Sequence, residues 1–280
     1  MPEGPSMVIL KDAVQEFKGK KVVEVEGNST IINKDLLLNR KIIEFKTWGK
    51  HFLICFNDFT IRVHFLLFGT YRINESKDTP ARLHLGFKKG ELNFYACSVR
   101  IIEEDLDEVY DWTADVMNDA WNPAGAKKKL LSIPGMVCCD ALLNQDIFAG
   151  VGNIIKNEVL FRIGVHPLSL VESLPKTKLT ALIREARIYS FQFLEWKKAF
   201  VLKKHWLVHG QRECPNGHGP LTIKYLGKTK RKSYYCERCQ PRYGILENEQ
   251  ALVFNKKPDS SERKPVIGKQ PTTSKSRLKK

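Results

Sequence analysis

Apolar and polar residues change their rhythm along the chain. Through the first hundred or so positions, short runs rich in Val, Ile, Phe and Tyr (KKVVEVEG, KIIEFKTW, HFLICFN, FTIRVHFLLFG, ELNFYACSVRII) are punctuated by Gly, Asn and Asp. β-Branched and aromatic side chains suit a pleated surface, so this stretch predicts the strands of a sandwich or barrel. Met7 to Phe17 is the exception, with apolar residues spaced for an early helix. From about Asp105 the acidic EEDLDEVYDW reads as a linker or helix start, and the Pro and Gly of WNPAG mark a boundary. Residues from about 124 to 208 read as helices, because KLTALIREARIYSFQFLEWKKAFVL places apolar residues at three- and four-residue spacing. Between Val208 and Pro241 lies a compact Cys/His segment containing the strand-like TIKYL and SYYC. Beyond about Asn255 the chain has almost no aromatic or β-branched residues and is expected to be disordered.

The fold class expected from this pattern is α+β with several domains. Residues 1–122 form an N-terminal β-sandwich with an early helix, and 123–208 a helical domain. Residues 209–243 form a metal-braced β-hairpin, and 244–280 a basic disordered tail.

Composition sharpens this. No run approaches the ~20 apolar residues that cross a bilayer, and MPEGPSMVIL lacks the basic start and apolar run of a secretory signal. A cytoplasmic monomer without membrane contact is expected, nucleoid-associated if bacterial. The net charge is +15, of which residues 256–280 supply +7, leaving +8 on the rest of the chain. A basic body points to a polyanionic partner, bound by phosphate neutralisation and counterion release. The seven cysteines divide unevenly. Cys55, Cys97, Cys138 and Cys139 lie in apolar surroundings, as reduced core thiols would, whereas Cys214, Cys236 and Cys239 cluster.

That cluster has ligand spacing. Three residues lie between Cys214 and His218, two between Cys236 and Cys239, and seventeen between the pairs. Two close pairs joined by a hairpin supply the four soft donors of tetrahedral zinc, and four protein ligands leave no open position, so one structural Zn²⁺ is expected. Between the pairs, Gly227 to Lys232 holds four cations in six residues. A solvated turn is the bland reading; a braced cationic tip suits phosphate contact better.

The start of the chain is Met1-Pro2-Glu3-Gly4-Pro5. Removal of the initiator Met would leave Pro2 with a free secondary amine. An α-amino group titrates near ~7.7–8.0, so much of it is neutral at physiological pH. A neutral amine can attack an electrophilic carbon to give an iminium, with Glu3 beside it for proton transfer. Taken alone this is weak, since many chains begin Met-Pro.

Taken together, PEGP at the start, Gly49-Lys50 in the early strands, Gly150-Val151-Gly152-Asn153 in the helical segment and the hairpin ending CERCQ resemble the formamidopyrimidine-DNA glycosylase/endonuclease VIII family. The resemblance covers residues 1 to about 241. It implies that Pro2 is the nucleophile that attacks the sugar C1′, displaces a damaged base and forms a Schiff base. It implies that Glu3 handles protons at the deoxyribose ring, and that Lys50 assists ring opening and contacts phosphate. The helical segment would be a helix–two-turn–helix in which Asn153, with Arg231 on the hairpin, clamps the bent backbone of damaged duplex DNA. Leu66, Leu67 and Phe68, just before Gly69, would fill the hole left by the extruded base. The contiguous triad and Gly4 lean toward the endonuclease VIII branch. The implied activity is a bifunctional glycosylase/AP lyase of base excision repair that removes oxidised bases, pyrimidines above all, by β,δ-elimination. Alternatives are the same chemistry with oxidised-purine preference, a non-catalytic damaged-DNA binder, and a zinc-ribbon RNA binder. Departures from the family pattern are Ser6, where many members carry a second acid, His218 in place of a cysteine, and the extension beyond about 243.

Overall fold

The computed structural model describes residues 2–245 and 249–255; Met1 and the chain beyond Asn255, including most of the expected tail, lie outside the described residues. Helix α1 (Gly4–Ala13) opens the fold. It begins three residues before the apolar pattern does, because Pro5 suits the first turn, where its missing N–H costs no hydrogen bond. Strands β1 (Val22–Glu26), β2 (Glu44–Trp48), β3 (His51–Cys55), β4 (Thr60–Ile73), β5 (Leu83–Phe87) and β6 (Glu91–Ile102) follow. They pair antiparallel in one sheet of order β1-β5-β6-β4-β3-β2.

The expected sandwich is this single sheet coiled upon itself. Phe52 and Phe94 have β4 partners far apart, Val63 and Tyr71, yet their ring centroids are 5.9 Å apart. The two halves therefore face each other across a core that includes Phe52, Ile54, Ile61, Val63, Leu83, Leu85, Leu92 and Phe94, closed by Met7 and Leu10 of α1. Alternation along β3 and β4 is what sends these side chains inward.

A short helix α2 (Leu106–Val109), capped by the Asp105 carboxylate on the Asp107 amide, starts the connection out of the sheet. Helices α3 (Pro123–Leu131), α4 (Cys138–Leu143), α5 (Asn153–Arg162) and α6 (Lys176–Lys198) then pack about a second core. Every residue of α5 from Asn153 to Phe161 is buried. Charged residues in so enclosed a helix need specific partners. Glu158 has them: its carboxylate accepts from the amides of Leu207, Val208 and His209 at 2.7–3.0 Å.

Strands β7 (Thr222–Leu226) and β8 (Arg231–Tyr235) form the hairpin. The expected tail needs correction at its start. Residues 249–255 return to the hairpin, and β9 (Val253–Phe254) pairs with β7 through Tyr225↔Phe254 and Leu226↔Val253. The apolar pair Val253-Phe254, too short to stand out from polar surroundings, is held because Val253 packs on the helical core and Lys230 Nζ lies 4.7 Å from the Phe254 ring. The four core cysteines are buried and unpaired. Among the described residues no helix is long and apolar enough to cross a membrane.

Candidate active site

Three loops distant in sequence meet at the N-terminus of α1. The Gly4 amide donates to the Gly150 carbonyl at 2.9 Å. A Cβ on Gly4 would stand 2.8 Å from the Gly150 Cα, so only glycine permits this backbone approach. Gly49, ahead of Lys50 in the β2–β3 turn, packs on Ala149 and Gly150 in turn. The motifs PEGP, Gly49-Lys50 and Gly150-Val151-Gly152-Asn153 are thus one junction.

Glu3 sits at its centre, fully buried. Its carboxylate accepts from the Gly152 amide at 3.1 Å, the Ile154 amide at 2.8 Å and the Ile155 amide at 3.3 Å, the N-terminus of α5. A side chain on Gly152 would occupy the space of that carboxylate. The unpaired amides and the positive end of the helix favour an anion, and Lys50 adds its charge. Burial opposes them and prevails, raising the Glu3 pKa above the ordinary glutamate value. Glu3 is therefore a carboxyl group able to hold a proton where most glutamates have lost theirs. Pro2, half-buried, is attached directly to it.

Lys50 is half-buried, and among the described residues its ammonium has no hydrogen-bond partner. Burial lowers it to about 8, Glu3 pulling the value up and Arg231 pushing it down. Lys50 is thus within electrostatic reach of both Glu3 and Arg231. The turn that carries Lys50 is fixed by Asp115, a residue the sequence did not single out. Its buried carboxylate accepts from the Gly49 amide and the Met117 amide, both at 2.9 Å. Burial raises Asp115 to about 6 against the pull of those two amides.

Asn153 opens α5, but the amides there hold Glu3. Its Nδ2 donates to the Lys232 carbonyl at 2.9 Å, and its buried Oδ1 has no partner among the described residues. Lys156 and Asn157, on the same helix face, reach the same carbonyl at 3.3 and 3.4 Å, and Lys156 Nζ also donates to Ser233 Oγ at 2.7 Å. Lys156, fully enclosed and lowered by burial to about 8, was likewise not anticipated. This latch places Arg231, at the head of β8, over α5. The hairpin tip is docked as well: the Asp140 carboxylate on α4 accepts from the Lys228 amide at 2.7 Å and the Thr229 amide at 3.2 Å.

Leu66, Leu67 and Phe68 lie in β4 where pairing with β6 breaks between Phe65 and Thr70. They are 53%, 47% and 82% exposed. A buried strand end is thereby excluded. The triad follows His64, which pairs with His51 beside Lys50.

Cys214, His218, Cys236 and Cys239 bring their donor atoms within 4.8 Å of one another. The His218 Nδ1 lies 3.8, 3.7 and 3.1 Å from the sulfurs of Cys214, Cys236 and Cys239, and Cys214 and Cys239 sulfurs are 3.5 Å apart. With Zn–S near ~2.3 Å, a tetrahedron has edges of about 3.7 Å, so the Cys3His set is compatible with a structural zinc ion.

Comparison with known proteins agrees with this geometry. Residues 1–98 match the formamidopyrimidine-DNA glycosylase N-terminal domain, and residues 101–190 the formamidopyrimidine-DNA glycosylase H2TH domain. Endonuclease 8-like 3 of Xenopus laevis is 30% identical over 218 residues, which is 70% of this chain and 34% of that protein. Endonuclease 8-like 2 of Bos taurus is 31% identical over 205 residues, 68% of this chain and 61% of that protein. The chain thus spans about a third of the first relative and three-fifths of the second. Among solved structures, Lactococcus lactis formamidopyrimidine-DNA glycosylase bound non-covalently to AP-site DNA aligns with a TM-score of 0.75 at 18% identity, covering 86% of this chain and 100% of that one. A viral DNA glycosylase aligns at 0.73 and 18%, covering 85% and 99%. With both domain models matched in order and the buried Glu3 joining them, the chain belongs to the formamidopyrimidine-DNA glycosylase/endonuclease VIII family, and the relatives named here are of the endonuclease 8-like kind.

Proposed function

We propose that this protein is a bifunctional DNA glycosylase/AP lyase of base excision repair, acting on oxidised bases, pyrimidines above all, in duplex DNA. The observation that carries the reading is Glu3, fully buried on the α5 amides, directly attached to Pro2 and within electrostatic reach of Lys50, with its pKa raised by burial. The neutral amine of a mature Pro2 bonds to the deoxyribose C1′ as the glycosidic C–N bond breaks and its electron pair leaves with the base. The proton of the attacking amine passes to the departing base, Glu3 gives its proton to the ring oxygen, the C1′–O4′ bond breaks, and the freed nitrogen electron pair forms the iminium that joins Pro2 to C1′. Loss of a C2′ proton then expels the 3′ phosphate, and a further elimination expels the 5′ phosphate. Lys50 and Arg231 stand as cations for the phosphates about the opened sugar. Asn153 joins this clamp once its amide leaves the Lys232 carbonyl. The exposed Leu66-Leu67-Phe68 wedge enters the duplex, since unstacking costs a few kcal/mol and a contiguous apolar triad on water is otherwise unfavourable. One zinc ion held by Cys214, His218, Cys236 and Cys239 braces the hairpin and takes no chemical part.

Excision of thymine glycol and of 8-oxoguanine from matched duplexes tests the substrate. Faster release of the pyrimidine is expected. Faster release of 8-oxoguanine would overturn the pyrimidine preference, and no release of either with no nicking of abasic DNA would overturn the enzyme reading.

A further inference from the structure

The first turn of α1 is held from the far end of the fold. Lys197, half-buried in the last turn of α6, donates from Nζ to Ser6 Oγ at 2.8 Å. The same oxygen accepts from the Glu3 amide at 3.4 Å. That amide nitrogen is bonded to the carbonyl carbon of Pro2, so the ammonium stands two hydrogen bonds from the backbone of the nucleophile's own residue. An acid at position 6 would pair with Lys197 and cancel its charge; the serine binds it and leaves the charge in place.

The groups that face this corner come from every element packed on it. Among the described residues, Glu3, just ahead of α1, is the carboxylate that acts on Lys197, whose own pKa burial lowers. Lys50 on the β2–β3 turn, Lys156 on α5 and Arg231 on β8 all act on it or on its neighbours as cations. Lys198 is spent on Asp12 at 3.2 Å, and the ring of Phe193, centred 5.8 Å from Lys197 Nζ, carries no charge. His209, half-buried between Asn157 and Tyr234, is held well below the ordinary histidine value, at about 4, by desolvation and stays neutral.

We propose that Lys197 is a positioning residue for Pro2: it fixes the α1 turn that presents Pro2 and Glu3, and its uncancelled charge keeps the Pro2 amine neutral at a lower pH than an isolated α-amino group. The inference rests on the Schiff-base reading above. A like charge nearby disfavours the protonated amine, and for a partly buried group within about 10 Å the effect is on the order of one pH unit.

The test is single-turnover cyanoborohydride trapping by the mature full-length chain on a duplex carrying a preformed abasic site, followed across pH. The acid limb of the wild-type profile reports the amine. Lys197→Met is expected to move its midpoint upward by about one pH unit, whereas Lys197→Arg, which keeps the charge, leaves it in place. Ser6→Glu, which cancels the charge with Lys197 present, moves it in the same direction as Lys197→Met. A purely structural role would slow trapping without moving the midpoint, and that result in Lys197→Met overturns the proposal. Should Lys197→Met fail to fold, an unmoved midpoint in Ser6→Glu overturns it equally. No adduct from wild type at any pH would sink the Schiff-base reading and this inference with it, an outcome distinct from an adduct whose midpoint ignores the charge.

Discussion

At the scale of single residues, the site is a set of groups moved off their ordinary protonation by burial. Glu3 is the sharpest case, because three amides and Lys50 favour its anion and burial still raises it. Glu3→Gln keeps the size but sets an amide donor against the amides of Gly152, Ile154 and Ile155. Excision of an oxidised base by this variant is expected to fall by ~10²–10⁴, the usual worth of a positioned acid; a loss under tenfold in single-turnover assays would contradict the assignment. Lys50 is charged below about 8 and neutral above it. Nicking of abasic DNA should therefore decline as pH rises through about 8, and Lys50→Arg, a cation at any of these pH values, should flatten that decline. Asp115 sits at about 6 in the fold against 3.8 for the free side chain. Between those values the folded chain binds a proton that the unfolded chain has released. That share of stability is present at acid pH and lost as pH rises to about 6. Asp115→Asn lacks it, so the melting temperature of the variant relative to wild type should improve from pH 4.5 to about 7.5. A difference that stays flat across that range would contradict the buried, raised carboxyl.

At the scale of elements, α5 is the hub. Its N-terminal amides hold Glu3, its Asn153, Lys156 and Asn157 hold the Lys232 carbonyl, and its Glu158 holds the loop ahead of the hairpin. The hairpin should depend on these latches and on zinc together. Chelation, or Cys236→Ser, is expected to weaken binding to abasic duplex by tenfold or more while leaving the far-UV signal of the helical core in place; unchanged affinity without zinc would count against the braced hairpin. Much of this scale was legible in the sequence. Runs rich in β-branched and aromatic residues marked the strands, three- and four-residue spacing marked α6, and Cys/His spacing marked the cluster, because each signal is local. What could not be read were the joins. Glu3 meets Gly152, Asp115 meets Gly49 and Lys197 meets Ser6 across spans that no periodicity marks. The resemblance implies a phosphate role for the Asn153 side chain, and no local pattern could show that the α5 amides beside it hold the protein's own Glu3. The β9 strand was missed because two apolar residues carry no pattern of their own.

At the scale of the whole molecule, the proposed function has charge and wedge act together on a bent duplex. The net charge of +15, with +8 of it outside residues 256–280, makes affinity for any duplex fall with salt. Removing residues 256–280 should shallow the slope of log affinity against log salt while leaving the preference for abasic over intact duplex, since the wedge and clamp stay in the folded part. Loss of that preference on truncation would place recognition in the tail instead. The expectations about catalysis hang on the proposed bond between Pro2 and the sugar. Its most direct measurement is peptide mapping by mass spectrometry of the borohydride-reduced complex between the full-length protein and an abasic duplex. The account predicts that the initiator methionine is gone and that the sugar remnant sits on the nitrogen of Pro2. A remnant on a lysine side chain, or efficient nicking by protein that retains Met1, would contradict it.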